Sequence, residues 1–112
     1  MSDRLPTALA VNALVRLVDQ AGGSAMVLAR GDRDSGIVLL LVEQRDGPSQ
    51  LFERGYGPDG RCAILQVGPQ DGDPGAVIDY WQRRRRSDPD LWVVEVNVAD
   101  AQRLAAETIF AD

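Results

Sequence analysis

Four consecutive arginines, Arg83 to Arg86, follow Tyr80 and Trp81 and precede Asp88 and Asp90. Guanidinium forks grip phosphate or carboxylate oxygens in pairs, and aromatic rings stack on bases, so an anionic ligand or an acidic partner would bind here. Tyr80, Trp81, Arg83, Arg84, Arg85, Arg86, Asp88 and Asp90 are therefore the candidate ligand- or partner-binding residues. A structural reading competes with this one. Successive helical residues turn by about 100°, so four arginines in a row point around the axis, and only Arg83 and Arg86 lie one above the other. The run also falls where a helix dipole is negative, which favours each exposed cation by roughly 0.3–1 kcal/mol. Asp79, four residues before Arg83, adds a helix-supporting pair.

Other reactive residues are fewer. Asp32 and Asp34 could offer two carboxylates to a hard cation, but the further oxygen ligands and the distal glutamate of a calcium loop are missing. Cys62 beside Arg61 could be an activated thiol, yet a cysteine nucleophile also needs a base, and a half-buried strand cysteine accounts for it better. The glycines from Gly55 to Gly60 lack the spacing and the strand-then-helix setting of a dinucleotide fingerprint, which leaves them as turn punctuation.

All twelve basic residues are arginine, and the chain contains neither lysine nor histidine. Schiff-base lysine, phosphate-loop lysine, histidine base and histidine metal ligand are thereby excluded. A lone cysteine excludes an internal disulfide and a cysteine zinc cluster. The net charge of −5 argues against general nucleic-acid binding, which draws on a basic surface. No catalytic residue, metal site or cofactor is assigned.

The elements that must position these residues follow from periodicity. With 112 residues, 45% of them apolar and 26% charged, the chain reads as a single domain over 1–112 with one core. From Pro6 to Ala21, Val11, Leu14, Val15, Leu17 and Val18 line one side of an amphipathic helix, with Pro6 in its first turn and Gly22-Gly23 as its stop. Strands are predicted at Ser24–Arg30, Ile37–Val42, Gln50–Glu53 and Cys62–Val67, separated by turns rich in glycine, aspartate and proline. Asp73-Pro74 opens a second helix that runs into the arginines, and Asp88-Pro89 ends it. Leu91-Trp92-Val93-Val94 is apolar on both alternating faces, which marks an interior strand. Glu95 points with Leu91 and Val93, so if that face is buried its charge needs an arginine partner. Asn97 is predicted to cap a last short helix bearing Ala101, Leu104 and Ala105, and Thr108-Ile109-Phe110 forms an apolar tail that either docks on the body or meets another chain.

The predicted fold is therefore α+β: an N-terminal helix, a four-strand antiparallel meander, a second helix, a fifth strand in the same sheet, and a short C-terminal helix. The longest apolar run, Ile37 to Val42, is of strand length and does not suit a membrane span, and Met1 to Pro6 has no basic region leading into an apolar one. A cytoplasmic protein is expected.

The run Gly31-Asp32-Arg33-Asp34-Ser35-Gly36 before an apolar strand, and Asp88-Pro89-Asp90-Leu91-Trp92-Val93-Val94-Glu95-Val96 further on, give a resemblance to a known family. The chain resembles the Domain of Unknown Function 1491 family of alphaproteobacteria from about Pro6 to Val96, and departs from its pattern after Asn97. The resemblance implies a short cytosolic protein with an initial helix. It implies no activity and no catalytic residues.

Two functions are expected on these grounds. The first is a non-enzymatic accessory or protein-interaction domain, binding an unknown protein partner or forming a homodimer. The second is a phosphate-ligand or nucleic-acid binding module using the Arg83–Arg86 run. An enzyme ranks third: carboxylates such as Asp32, Asp34 and Glu95 could do acid–base work, but nothing in the sequence shows them converging.

Overall fold

The computed structural model describes residues 5–111. Its elements in chain order are α1 (Thr7–Gln20), β1 (Ser24–Ala29), β2 (Val38–Val42), β3 (Gln50–Tyr56), β4 (Cys62–Val67), α2 (Pro74–Ser87), β5 (Trp92–Asn97) and α3 (Ala101–Ala106). The α+β class and the succession of elements agree with the pattern read from the sequence. The sheet order is β1-β5-β2-β3-β4. β5 runs parallel to β2 and antiparallel to β1, so the sheet is mixed. This corrects the four-strand meander: only β2, β3 and β4 form one, and β5 separates β1 from β2. The Gly31–Gly36 turn therefore has to span two inter-strand spacings, roughly 9–10 Å, instead of closing a tight hairpin.

Helices cover both faces of the sheet. On one face Val38, Leu40, Val42, Phe52, Trp92, Val94 and Val96 pack with Val11, Leu14 and Val18 of α1 and with Leu104 and Ala105 of α3. On the other, Leu39, Leu41, Leu51, Leu91 and Val93 meet Val77 of α2, with Tyr80 and Trp81 beside it. A bulge in β1 between Val27 and Ala29 changes which face its residues take. Val27 packs on the α1 side, while Leu28 and Ala29 both pack on the α2 side. Inserting one residue resets the two-residue alternation.

Helix ends show how local chemistry and tertiary contacts divide the work. Pro6 is the N-cap of α1 and not a residue of its first turn, and it offers no side-chain cap. The free N–H groups of Thr7 and Ala8 donate instead to the carbonyls of Asp34 and Arg33, at 3.2 and 2.8 Å. Gly22, at φ +83°, ends the helix as expected. Asp73 caps α2 through its side chain, accepting from the Ala76 N–H at 3.2 Å. Asn97 is not the cap of α3: it is the last residue of β5, and Asp100, in the left-handed region at φ 58°, holds the cap position. The sheet ladder with Ser24 keeps Asn97 extended. The tail docks on the body, with Ile109 and Phe110 buried and the Arg54 guanidinium donating to the Ala111 carbonyl at 2.9 Å.

β5 is held at its entrance by the glycine turn. The indole N–H of Trp92 donates to the Asp32 carbonyl at 2.7 Å, and the Asp32 N–H donates to the Asp90 carbonyl at 3.0 Å. A Cβ on Gly31 would lie 2.0 Å from the Asp90 carbonyl oxygen, and one on Gly36 would lie 2.2 Å from the same atom. Only glycine permits this approach. Trp92→Phe, which keeps an aromatic ring but removes the indole donor and leaves a small cavity at a buried site, is expected to destabilise the protein by about 1–3 kcal/mol in urea unfolding. Gly31→Ala is expected to cost at least as much, because backbone has to move to admit the methyl group.

Candidate functional site

The arginine run ends α2, where the last-turn carbonyls attract cations, and the structure gives its four members different roles. Arg84 reaches the sheet: its Nη1 lies 2.7 Å from Glu53 Oε1 on β3 and donates to the Tyr80 hydroxyl at 3.0 Å. The pair is half-buried, and the hydrogen bond to Glu53 holds the guanidinium above its ordinary pKa, opposed by burial and helped by Tyr80. Arg85 turns back to donate to the carbonyls of Pro89 and Leu91, the latter at 3.0 Å. It thus fastens the chain reversal between α2 and β5. Arg83 and Arg86 point outward, with the Arg83 guanidinium 5.9 Å from the centre of the Tyr80 ring.

The other candidates are placed by the same reversal. Asp88 is the C-cap of α2, with its N–H on the Arg84 carbonyl, and its Oδ1 accepts from the Asp90 N–H at 3.1 Å. The Asp90 carbonyl receives Asp32. Trp81 packs against the α2-side core, and its indole nitrogen is buried without a hydrogen-bond partner among the described residues. The arginine turn and the Asp32–Gly36 turn therefore meet through the Asp88–Leu91 segment, joined by backbone hydrogen bonds. Arg30 adds its guanidinium 5.1 Å above the Trp92 ring.

Asp32 spends its carboxylate within its own turn. Its Oδ2 accepts from the backbone N–H groups of Ser35 and Asp34, at 2.9 and 3.1 Å, and from the Ser35 hydroxyl. The Ser35 and Asp34 N–H donors lower its pKa below the usual carboxylate value. No group of three or more acidic or cysteine side chains among the described residues is placed to hold a metal ion. Glu95 is half-buried and takes part in no ion pair among the described residues. Its neighbour across the ladder, Met26 on the edge strand, is exposed, so that end of the face opens to water and the arginine partner is not required.

Sequence reasoning missed a groove on the α1 side of the sheet. A cavity of about 610 Å³ lies where the start of α1, the start of β2, the end of β3 and the C-terminal tail converge. Ala10, Val38, Ile109 and Phe110 contribute its buried apolar lining and Leu5, Ile37 and Tyr56 its exposed apolar one, while Asp34, Arg54 and Glu107 add charged groups to its wall. Leu5, Ile37 and Tyr56 are exposed by 57, 46 and 74%. They stand far apart in the sequence, so no local signal joins them. A second concavity, about 500 Å³, sits at the carboxyl ends of β2 and β5 and is lined mainly by polar side chains, including Gln44, Arg45, Asn97 and Arg103.

A family model described as "Protein of unknown function (DUF1491)" matches residues 5–106. The structure is similar to the crystal structure of a DUF1491 family protein from Caulobacter crescentus CB15, with a TM-score of 0.77 and 33% identity over 89% of this chain and 94% of that one. It is similar to the NMR structure of a DUF1491 family protein from the same organism, with a TM-score of 0.77 and 31% identity over 92 and 94%. Protein Atu0922 from A. tumefaciens matches with a TM-score of 0.72 and 27% identity over 97 and 96%. No curated protein matches the chain.

Two outcomes test the division of the arginines and the role of Asp32. Arg84→Ala is expected to lower unfolding free energy by about 1–2 kcal/mol, between the values for exposed and buried pairs, while Arg86→Ala stays within about 0.5 kcal/mol. Asp32 has a folded pKa below the ordinary 3.8, so its contribution is present above that value and lost as pH falls through the folded one. Acid titration of Asp32→Asn, followed by circular dichroism, should show a flatter stability profile in that range than the parent protein.

Proposed function

Since the chain belongs to the DUF1491 family, whose description names no activity, we propose on the strength of its surface that it is a cytoplasmic, non-enzymatic accessory protein: a single protein-interaction domain that receives an apolar segment of a partner. The observation that carries this reading is the gathering of Leu5, Ile37 and Tyr56 around one groove. Exposed apolar side chains scattered singly are ordinary, whereas several converging on a concavity mark a docking surface. The volume is of the size that holds a few apolar side chains. Tyr56 suits such a rim, offering a large apolar ring with few torsions to freeze and a hydroxyl for the partner's polar groups. No helix among the described residues is long and apolar enough to cross a membrane, which fits a protein that works in the cytoplasm.

The phosphate-ligand or nucleic-acid reading receives less support. Arg84 and Arg85 use donors inside the fold, on Glu53, Tyr80 and two backbone carbonyls. Only Arg83 and Arg86 of the run point outward, and neither described cavity is lined by the run.

Affinity capture with three baits separates the two. The unaltered protein and an Arg83→Ala/Arg86→Ala variant are expected to retain the same protein, and an Ile37→Asp/Tyr56→Asp variant to lose it. Retention of identical proteins by all three baits, or of none by the unaltered one, would sink the groove reading. Loss confined to the arginine variant would favour the anion-binding alternative.

A further inference from the structure

We propose that the polar cavity at the carboxyl ends of β2 and β5 is a binding site for a small α-amino acid, held as its zwitterion and selected for a carboxamide or hydroxyl side chain. Topology makes the cavity. β2 and β5 are parallel neighbours, and the Glu43 N–H on the Val96 carbonyl at 2.9 Å closes their ladder. Beyond that bond the chain after β2 turns toward β3, while the chain after β5 passes to α3 on the α1 side. Neighbouring parallel strands that send their chains apart leave a crevice, which is where open sheets take up small molecules. Its volume of about 500 Å³ is in the range of small-molecule pockets.

The wall holds one carboxylate and one guanidinium that the fold leaves for a ligand. Ser49 is 2% exposed, and its hydroxyl donates to Glu43, lying 3.0 and 2.9 Å from the two carboxylate oxygens. A buried hydroxyl thus positions the carboxylate, yet no cation pairs with it among the described residues. Arg45, two residues on, is exposed and makes neither a hydrogen bond nor an ion pair among the described residues. Asp46, next in the chain, stands outside the wall and beyond ion-pair distance of Arg45. The other two charges of the wall, Asp100 and Arg103, offset each other at 3.8 Å. A ligand that brings an ammonium to Glu43 and a carboxylate to Arg45 satisfies both groups with charge-assisted contacts. An anion alone leaves Glu43 unmatched, and a cation alone leaves Arg45 so.

Gln44, Gln50, Asn97 and Gln102 supply the rest of the polar wall, and none of their side-chain amides is hydrogen-bonded among the described residues. A carboxamide offers a donor and an acceptor side by side, so it pairs with another carboxamide or with a hydroxyl. No aromatic ring lines the cavity, which removes the stacking surface a nucleobase would use. The apolar groove lies at the opposite end of β2 and shares none of these residues.

Titration of the isotope-labelled protein with glutamine, followed by NMR, is the test. Amide signals of Gln44, Asn97 and Gln102 are expected to shift and saturate in the millimolar range, with those of Ile37 and Tyr56 unmoved. Glutamine methyl ester, which lacks the anion, and N-acetylglutamine, which lacks the cation, should each bind at least about tenfold more weakly. Glu43→Gln keeps an acceptor for Ser49 and should weaken glutamine about tenfold while leaving N-acetylglutamine unchanged. Arg45→Gln, at an exposed position, should weaken glutamine about as much and leave the ester unchanged. Leucine, of similar size but without polar side-chain atoms, should bind more weakly than glutamine. No saturable shift with glutamine, asparagine or serine overturns the proposal. It is equally overturned by ester and acetyl forms that bind as well as glutamine, or by a glutamine affinity that both substitutions leave intact.

Discussion

The Trp92 indole N–H on the Asp32 carbonyl is the contact on which the arrangement of strands depends. β5 has to enter between β1 and β2, two strands joined by a loop of a few residues, and that loop must open wide enough to admit it. The Gly31–Gly36 turn does so by lying against the Asp90 carbonyl and the Trp92 ring, an approach that leaves no room for a Cβ at either glycine. The same turn then lends the carbonyls of Arg33 and Asp34 to the first turn of α1, where Pro6 has no capping side chain. One loop therefore sets the strand order, caps a helix and orients the Trp92 ring within the α1-side core. Few independent interactions would need to fail for all three to be lost together.

The arginine run has a related role on the other side of the same segment. Arg85 ties the Pro89 and Leu91 carbonyls to α2, while Arg84 ties α2 to β3 through Glu53. Two of four apparently equivalent cations are thus fasteners, and two remain at the surface. A consecutive run need not form one binding face, because the helix distributes it around its axis. The two sequence signatures of the chain, the glycine turn and the Asp-Pro-Asp-Leu-Trp run, are the two halves of this joint. Their contact explains their residue types structurally.

How much was legible in the residues differs by element. The span of α1 followed from its apolar spacing and the Gly22 stop, the opening of α2 from Asp73-Pro74, and the interior character of β5 from apolar residues on both of its faces. Reading β1 and β2 as neighbours was wrong because adjacency in the chain suggests a hairpin, and nothing local shows that a distant strand divides it. Asn97 looked like a helix cap because its side chain suits that position, but ladder bonds with β1 hold it in a strand. Glu95 was read as needing a cation on the assumption of full burial. Its place beside the edge strand lets water reach it.

The candidate site was the less legible part. Arg83 to Arg86 stood out because neighbours in sequence are easily seen together. Leu5, Ile37 and Tyr56 did not, since each is unremarkable in its own segment and they meet only after α1, β2, β3 and the tail have packed. What the amino-acid sequence determined by itself were the properties set by near neighbours: helix and strand spans, turn positions, and the absence of lysine and histidine chemistry. Tertiary structure alone decided the order of the strands, the division of the arginines and the assembly of the groove. The strand order, the Arg84–Glu53 pair and the groove depend on contacts between residues tens of positions apart, whose free energy exists only once the sheet has formed.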